Sequence, residues 1–307
     1  MQNFEFRHNN IVLKFVITDK NQIFLEYFGN KESNYLSGEL TFHRLIEIET
    51  SETDHEGCHC AKHVQTPYGL NYEYVTHKIE QNELIIITKD NHFEVETHYV
   101  FYKDSDAFSS YNIVKNISND NLTLEYVSSF HISGLGQHSD KHICNDMYVH
   151  KASNSWHCEA QWRRRSFLDE GIFSGNDNFT MKSWNISNTG SWSTKDNLPM
   201  LCIENARKNE FLLAQIENNG SWTMEIGDFF GFYLSVSGPD FQHNQWSKIL
   251  KPGETFKTCQ ATITIGDSFE KVIQEITKAR RQMRRYNVDD EELPVIFNDY
   301  MHALWDT

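Results

Sequence analysis

Between residues 11 and 266 apolar and polar side chains alternate with a period of two, in short runs rich in Val, Ile, Phe, Tyr and Thr. Clusters of Gly, Asn, Asp and Lys separate the runs. An extended chain puts successive side chains on opposite faces, so this period predicts strands. They are expected at 11–17, 22–28, 40–49, 70–79, 83–88, 92–102, 109–116, 122–132, 179–187, 200–204, 210–217, 222–228, 232–237 and 256–265. So many strands, with so few convincing helices between them, predict an all-β fold, a large antiparallel sandwich. The turn chemistry agrees, since Asn218-Asn219-Gly220 lies between two runs as the tight turn of a hairpin.

Past residue 266 the period lengthens to that of a helix. Asp267 stands as an N-cap three residues before Glu270, and Phe269, Val272, Ile273, Ile276 and Met283 share one helical face as far as Arg285. Lys278, Arg280, Arg281, Arg284 and Arg285 crowd the last turns, where positive charge suits the helix dipole. We read them as a solvated basic face or a docking face for an acidic surface. An acidic linker, 287–292, leads to Leu293-Pro294-Val295-Ile296-Phe297-Asn298-Asp299-Tyr300. An apolar run ending in polar residues is how a buried parallel strand delivers side chains to a functional face. Such a strand needs cover on both faces and both edges, so a further domain is expected downstream.

Charge narrows the partners. The 307 residues include 43 acidic and 28 basic ones, a formal net charge of -15, which repels nucleic acid and anionic membrane surfaces alike. No apolar run approaches the roughly 20 residues that span a bilayer, and the first residues resemble no secretory leader, so the expected compartment is the cytoplasm. Cys58, Cys60, Cys144, Cys158, Cys202 and Cys259 are too scattered for a disulfide-stapled fold and are expected as free, mostly buried thiols. Five Asn-x-Ser/Thr sequons read as accidents of Asn-rich turns.

The loudest local motif is His55-Glu56-Gly57-Cys58-His59-Cys60 with His63 close behind. It contains H-E-x-x-H, whose zinc chemistry requires a helix to bring both histidines to one face. Gly57 and the flanking strands oppose a helix, so we read a polar loop between strands and expect no metal and no cofactor. No nucleophile elbow, phosphate loop or dinucleotide fingerprint occurs. Trp156, Trp162, Trp184, Trp192, Trp222 and Trp246 lie in the β region, several beside Gly, Ser or Asn. An indole offers a flat apolar face and one N–H donor, which suits a sugar, although core packing is the ordinary use of such a residue.

Several segments in order resemble the N-terminal half of glycoside hydrolase family 36, best known for α-galactosidases. They are Asn154-Ser155-Trp156-His157-Cys158-Glu159-Ala160-Gln161-Trp162, Gly190-Ser191-Trp192-Ser193 with Leu198-Pro199-Met200, and Gln215-Ile216-Glu217-Asn218-Asn219-Gly220-Ser221-Trp222. Ser237-Gly238-Pro239, Leu250-Lys251-Pro252-Gly253-Glu254 and Pro294-Val295-Ile296-Phe297-Asn298-Asp299-Tyr300 complete the set.

The resemblance implies a β-supersandwich of the galactose-mutarotase type over residues 1–266, a helical linker over 267–292, and over 293–307 the first strand of a truncated (β/α)8 barrel. It also implies a retaining mechanism with one Asp as nucleophile and another as acid/base, both on later barrel strands. A barrel takes about 250 residues, so neither catalytic Asp is expected here, and the chain alone is expected to be inactive. Asn298, Asp299 and Tyr300 match the sugar-facing end of the first barrel strand. The family's usual Trp-Glu is replaced there by Tyr300-Met301, which leaves related α-glycosides open. α-Galactoside oligosaccharides are the implied substrates, and the implied full-length assembly is a homo-oligomer, commonly a tetramer. The loop from 54 to 68 is a candidate to approach a neighbour's active site. A different class of function also fits: a freestanding sugar-binding or scaffold sandwich without catalysis.

Overall fold

The computed structural model describes residues 2–52, 62–136, 142–174 and 179–297. These residues form antiparallel sheets of three, ten and six strands. Period-two patterning explains the arrangement. In the strand Trp222–Phe229 the side chains of Trp222, Met224 and Ile226 enter the core, and in the neighbouring strand Phe232–Ser237 those of Leu234 and Val236 do the same. Ile263 and Ile265 of Gln260–Gly266, Leu212 and Ala214 of Glu210–Glu217, and Phe108 of Ala107–Asn116 meet them from the ten-stranded sheet. The three-stranded sheet (Gln2–His8, Ile11–Ile17, Ile23–Gly29) adds Leu13, Phe15 and Phe28 to the same apolar cluster.

The outer face of the ten-stranded sheet carries the long helix. Val272 and Ile276 of Phe269–Met283 pack on Met200, Cys202 and Leu213, with Trp162 and Phe269 at the margin. Glu275 locks this docking: its backbone carbonyl accepts from the Ser105 hydroxyl, and its Oε2 accepts from the Asp106 amide at 2.8 Å. Oε1 accepts from Lys271 and Lys278 at 2.7 and 2.8 Å. Part of the predicted basic face is thus used internally, and Arg280 and Arg284 turn to Gln215 and Asp290. No described helix is long and apolar enough to cross a membrane. The described cysteines, Cys144, Cys158, Cys202 and Cys259, are free thiols, with Cys158 exposed.

Several local expectations change. The run 40–49 is a 3-10 turn, Leu40–Phe42, followed by the short strand Ile48–Thr50. The run 70–79 begins instead in the helix Pro67–Asn71, because Thr66 caps the Gly69 amide and Pro67 pre-sets the first turn. The long helix is capped by Ser268, whose side chain accepts from the Lys271 amide, and it ends at Met283 instead of Arg285. Residues 288–292 of the acidic linker form a helical turn. Strands at Gln2–His8, Met147–Ser153 and Gln161–Ser166 went unpredicted, since their polar positions dilute the alternation. The strand expected over 293–300 does not form over its described part: 293–297 joins no ladder, and Val295, Ile296 and Phe297 are almost fully exposed. A parallel strand exists only when neighbours pair with its edges, and no described segment runs alongside.

Candidate functional site

Asn298, Asp299 and Tyr300 lie outside the described residues, as do His55, Glu56, Gly57, Cys58, His59 and Cys60. Two other regions carry chemistry. The first is a pair of exposed indoles. Trp156, after the strand Met147–Ser153, and Trp192, after the strand Phe179–Asn188, approach with ring centroids 5.8 Å apart. Trp156 is 74% exposed, and Trp192 anchors its Nε1–H on the Thr194 hydroxyl at 3.1 Å. Ser193, next along the chain, lines an open polar depression of about 430 Å³ with Gln215, Glu217, Asn218, Asn219 and Arg280. Flat apolar faces beside amides, a carboxylate and a guanidinium are the mixture a sugar's two kinds of surface require. The other described tryptophans serve packing. Trp222 is wholly buried and donates Nε1–H to the Ser193 carbonyl at 2.7 Å, and Trp184 donates to Glu170. A second cleft, about 600 Å³, opens between the helix Pro67–Asn71 and the turn at Asp90, with His92 and Ile117 on its walls.

The second region is the outward face of the six-stranded sheet, which is polar yet buried. Glu225, Ser235 and His131 stand side by side in register across three strands, on the face opposite Met224, Ile226, Leu234 and Ile132. Residues 62–66 lie over them. The Ser235 hydroxyl donates to the His63 carbonyl at 3.0 Å and accepts from His131 Nδ1 at 2.7 Å. This leaves His131 Nε2 without a hydrogen bond, 3.8 Å from Glu47 Oε1, and burial pushes that imidazole down to about 3, so it is neutral. Glu225 takes the His63 amide, the Tyr233 hydroxyl and the Ser183 hydroxyl. Tyr233 reaches it across Gly227, where any Cβ would stand 2.5 Å from the phenol oxygen. Glycine is therefore required in that ladder row.

Glu47 is fully buried a little further along. It accepts from the Gln65 and Thr66 amides and the Thr66 hydroxyl, and Gly69 leaves the space its carboxylate fills. Desolvation outweighs those donors and raises its pKa to about 7. His63 is held the opposite way. Its Nδ1 donates to Glu49 at 3.0 Å and its Nε2 to Asp240 at 2.9 Å. Burial alone would lower its pKa, but the two carboxylates hold it well above the usual imidazole range. Asp240 also accepts from His243 Nδ1 at 2.7 Å and from the His243 amide. Burial opposes its ionisation, yet the two imidazoles keep it far below the carboxylate norm. The alternation of Glu225, Ser235 and His131 with apolar neighbours was visible in the sequence. The cover over them was not, because His63, which bonds Glu225 and Ser235, lies 162 and 172 residues from them.

No protein-family model matches the sequence, and no curated protein is significantly similar to it. Solved structures are similar in fold. The GH36 α-galactosidase AgaB of Geobacillus stearothermophilus matches 99% of this chain with 45% of its own, at 14% identity and a TM-score of 0.72. AgaA of the same organism matches 89% with 42% of its own, at 14% identity and a TM-score of 0.65. An α-galactosidase from Lactobacillus brevis matches 92% with 41%, at 12% identity and 0.58. Variants of AgaA are solved in complex with raffinose and with stachyose. The chain spans less than half the length of these structures, and its antiparallel β architecture is the fold that a portion of each α-galactosidase adopts.

Proposed function

We propose that this chain is the N-terminal, non-catalytic portion of a retaining α-galactosidase of glycoside hydrolase family 36 acting on α-galactoside oligosaccharides. The observation that carries this reading is the length of the match: nearly the whole chain superposes on under half of an α-galactosidase. The ordered motifs from Asn154 to Tyr300 support the same assignment independently. In this reading residues 1–266 are the β domain, 267–292 the linker, and 293–307 the entry to the barrel that supplies both catalytic carboxylates, with Asn298, Asp299 and Tyr300 lining the substrate. Two carboxyl groups about 5 Å apart across the glycosidic bond are the requirement of a retaining mechanism. The β domain supports assembly of a cytoplasmic homo-oligomer and contributes to the active-site rim, where the Trp156 and Trp192 faces suit oligosaccharide contact.

The test is turnover of p-nitrophenyl α-galactoside. The 307-residue chain is expected to match a blank, and co-expression with a barrel encoded downstream of Thr307 is expected to restore hydrolysis. Turnover by the chain alone defeats the proposal. Micromolar sugar affinity in a stable monomer, with no barrel encoded downstream, favours the freestanding sugar-binding reading instead.

A further inference from the structure

His63 Nε2, Asp240 Oδ2 and His243 Nδ1 all lie within 4.8 Å of one another, the one grouping of three metal-capable donors among the described residues. Local chemistry aims each at a common point. Asp240 is the N-cap of the short helix Phe241–Asn244, and its Oδ1 is engaged by the His243 amide at 2.7 Å, which leaves Oδ2 directed inward. The same cap puts His243 one turn away, on the same side. His63 is fixed from outside: its ring stacks on Tyr126 at 3.8 Å, nearly parallel, and Glu49 accepts from its far nitrogen. A carboxylate on the distal imidazole nitrogen is what a metal-bound histidine needs, since it fixes the tautomer and strengthens the donor.

We propose that His63, Asp240 and His243 bind one divalent late first-row cation, with zinc as the best match. Two imidazoles and a carboxylate suit such an ion, and its bonds of about 2.0–2.2 Å set the donors of a tetrahedral shell roughly 3.4 Å apart, so both nitrogens, now 2.9 and 2.7 Å from Asp240 Oδ2, part from it on binding. Burial fits a structural role. His63 and Asp240 are closed to solvent, while His243 is 14% exposed and leaves a side for a water ligand and for entry of the ion. Binding replaces two N–H···O bonds by metal bonds: His63 gives up its Nε2 proton and keeps Nδ1–H on Glu49, and His243 coordinates through Nδ1 as its Nε2–H tautomer. The ion staples the segment over the six-stranded sheet to a helix 177 residues further on, which places its effect on stability and on the neighbouring loop, with no reaction assigned to it.

The protein is stripped with EDTA, then titrated with zinc chloride while bound metal and melting temperature are recorded. About one zinc per chain is expected, with a rise in melting temperature of several degrees. His243→Ala, at the accessible edge, is expected to weaken binding at least a hundredfold while keeping the β-sheet circular dichroism. A Cys58→Ser/Cys60→Ser variant is expected to bind zinc like the parent, because the proposal assigns the protein ligands to His63, Asp240 and His243. Absence of stoichiometric zinc and of any thermal shift in the parent overturns the proposal and leaves His63 as an imidazolium between two carboxylates. Zinc retained by His243→Ala, or lost in the cysteine variant, overturns it equally.

Discussion

Glu47 and Glu275 are both closed to solvent, yet their surroundings drive their ionisation in opposite directions. Glu275 is desolvated, but two lysines and a backbone amide bring its pKa down to about 2. Glu47 receives only neutral donors at close range, so desolvation prevails and its pKa rises to about 7. The sign for Glu47 follows directly. A carboxyl that titrates near 4.5 when unfolded and near 7 when folded favours the native state in its protonated form. Its contribution is fully present below pH 4.5 and is lost as pH rises through 7. Glu47→Gln, which keeps the shape and removes the charge, is expected to flatten the fall in unfolding free energy between pH 5 and 8, measured by urea denaturation. An unchanged slope contradicts the assignment.

Among elements, the helix Phe269–Met283 shows how one buried side chain holds a unit in place. Its apolar stripe supplies the packing, but Glu275 sets the register by binding the turn at Ser105 and Asp106. Glu275→Ala strands the Asp106 amide and frees two lysines that are themselves half-exposed, so screening limits the loss to about 2 kcal/mol. Denaturation midpoints check this, and hydrogen exchange should show the helix amides losing protection before the central strands. Most of this element was legible in sequence, because its period and charge gradient are local properties. The hairpin at Asn218-Asn219-Gly220 was legible for the same reason and joins Glu210–Glu217 to Trp222–Phe229. The run 40–49 was not. Its apolar residues imitate a strand, but Glu47 is claimed by the amides of residues 65 and 66, a contact no local pattern reveals. The polar row on the six-stranded sheet was half legible: alternation exposes Ser235 and His131 as one face, whereas the segment that covers them comes from far away in the chain.

At the scale of the molecule, the ten-stranded sheet is closed late. The strand Ala107–Asn116 sits between Phe93–Phe101, its neighbour in sequence, and Gln260–Gly266, which pairs Ala261 with Ser110 and Ile263 with Phe108. One edge of that strand therefore waits for a partner made about 150 residues later. Loop-closure entropy must be met before such a ladder forms, so folding belongs to the slow class of β topologies. During synthesis, at about 5–20 residues per second, the edge stays open for roughly seven to thirty seconds before its mate leaves the ribosome. Throughout that interval nascent copies on one polysome can join edge to edge, which makes early chaperone capture, more than final stability, the determinant of soluble yield.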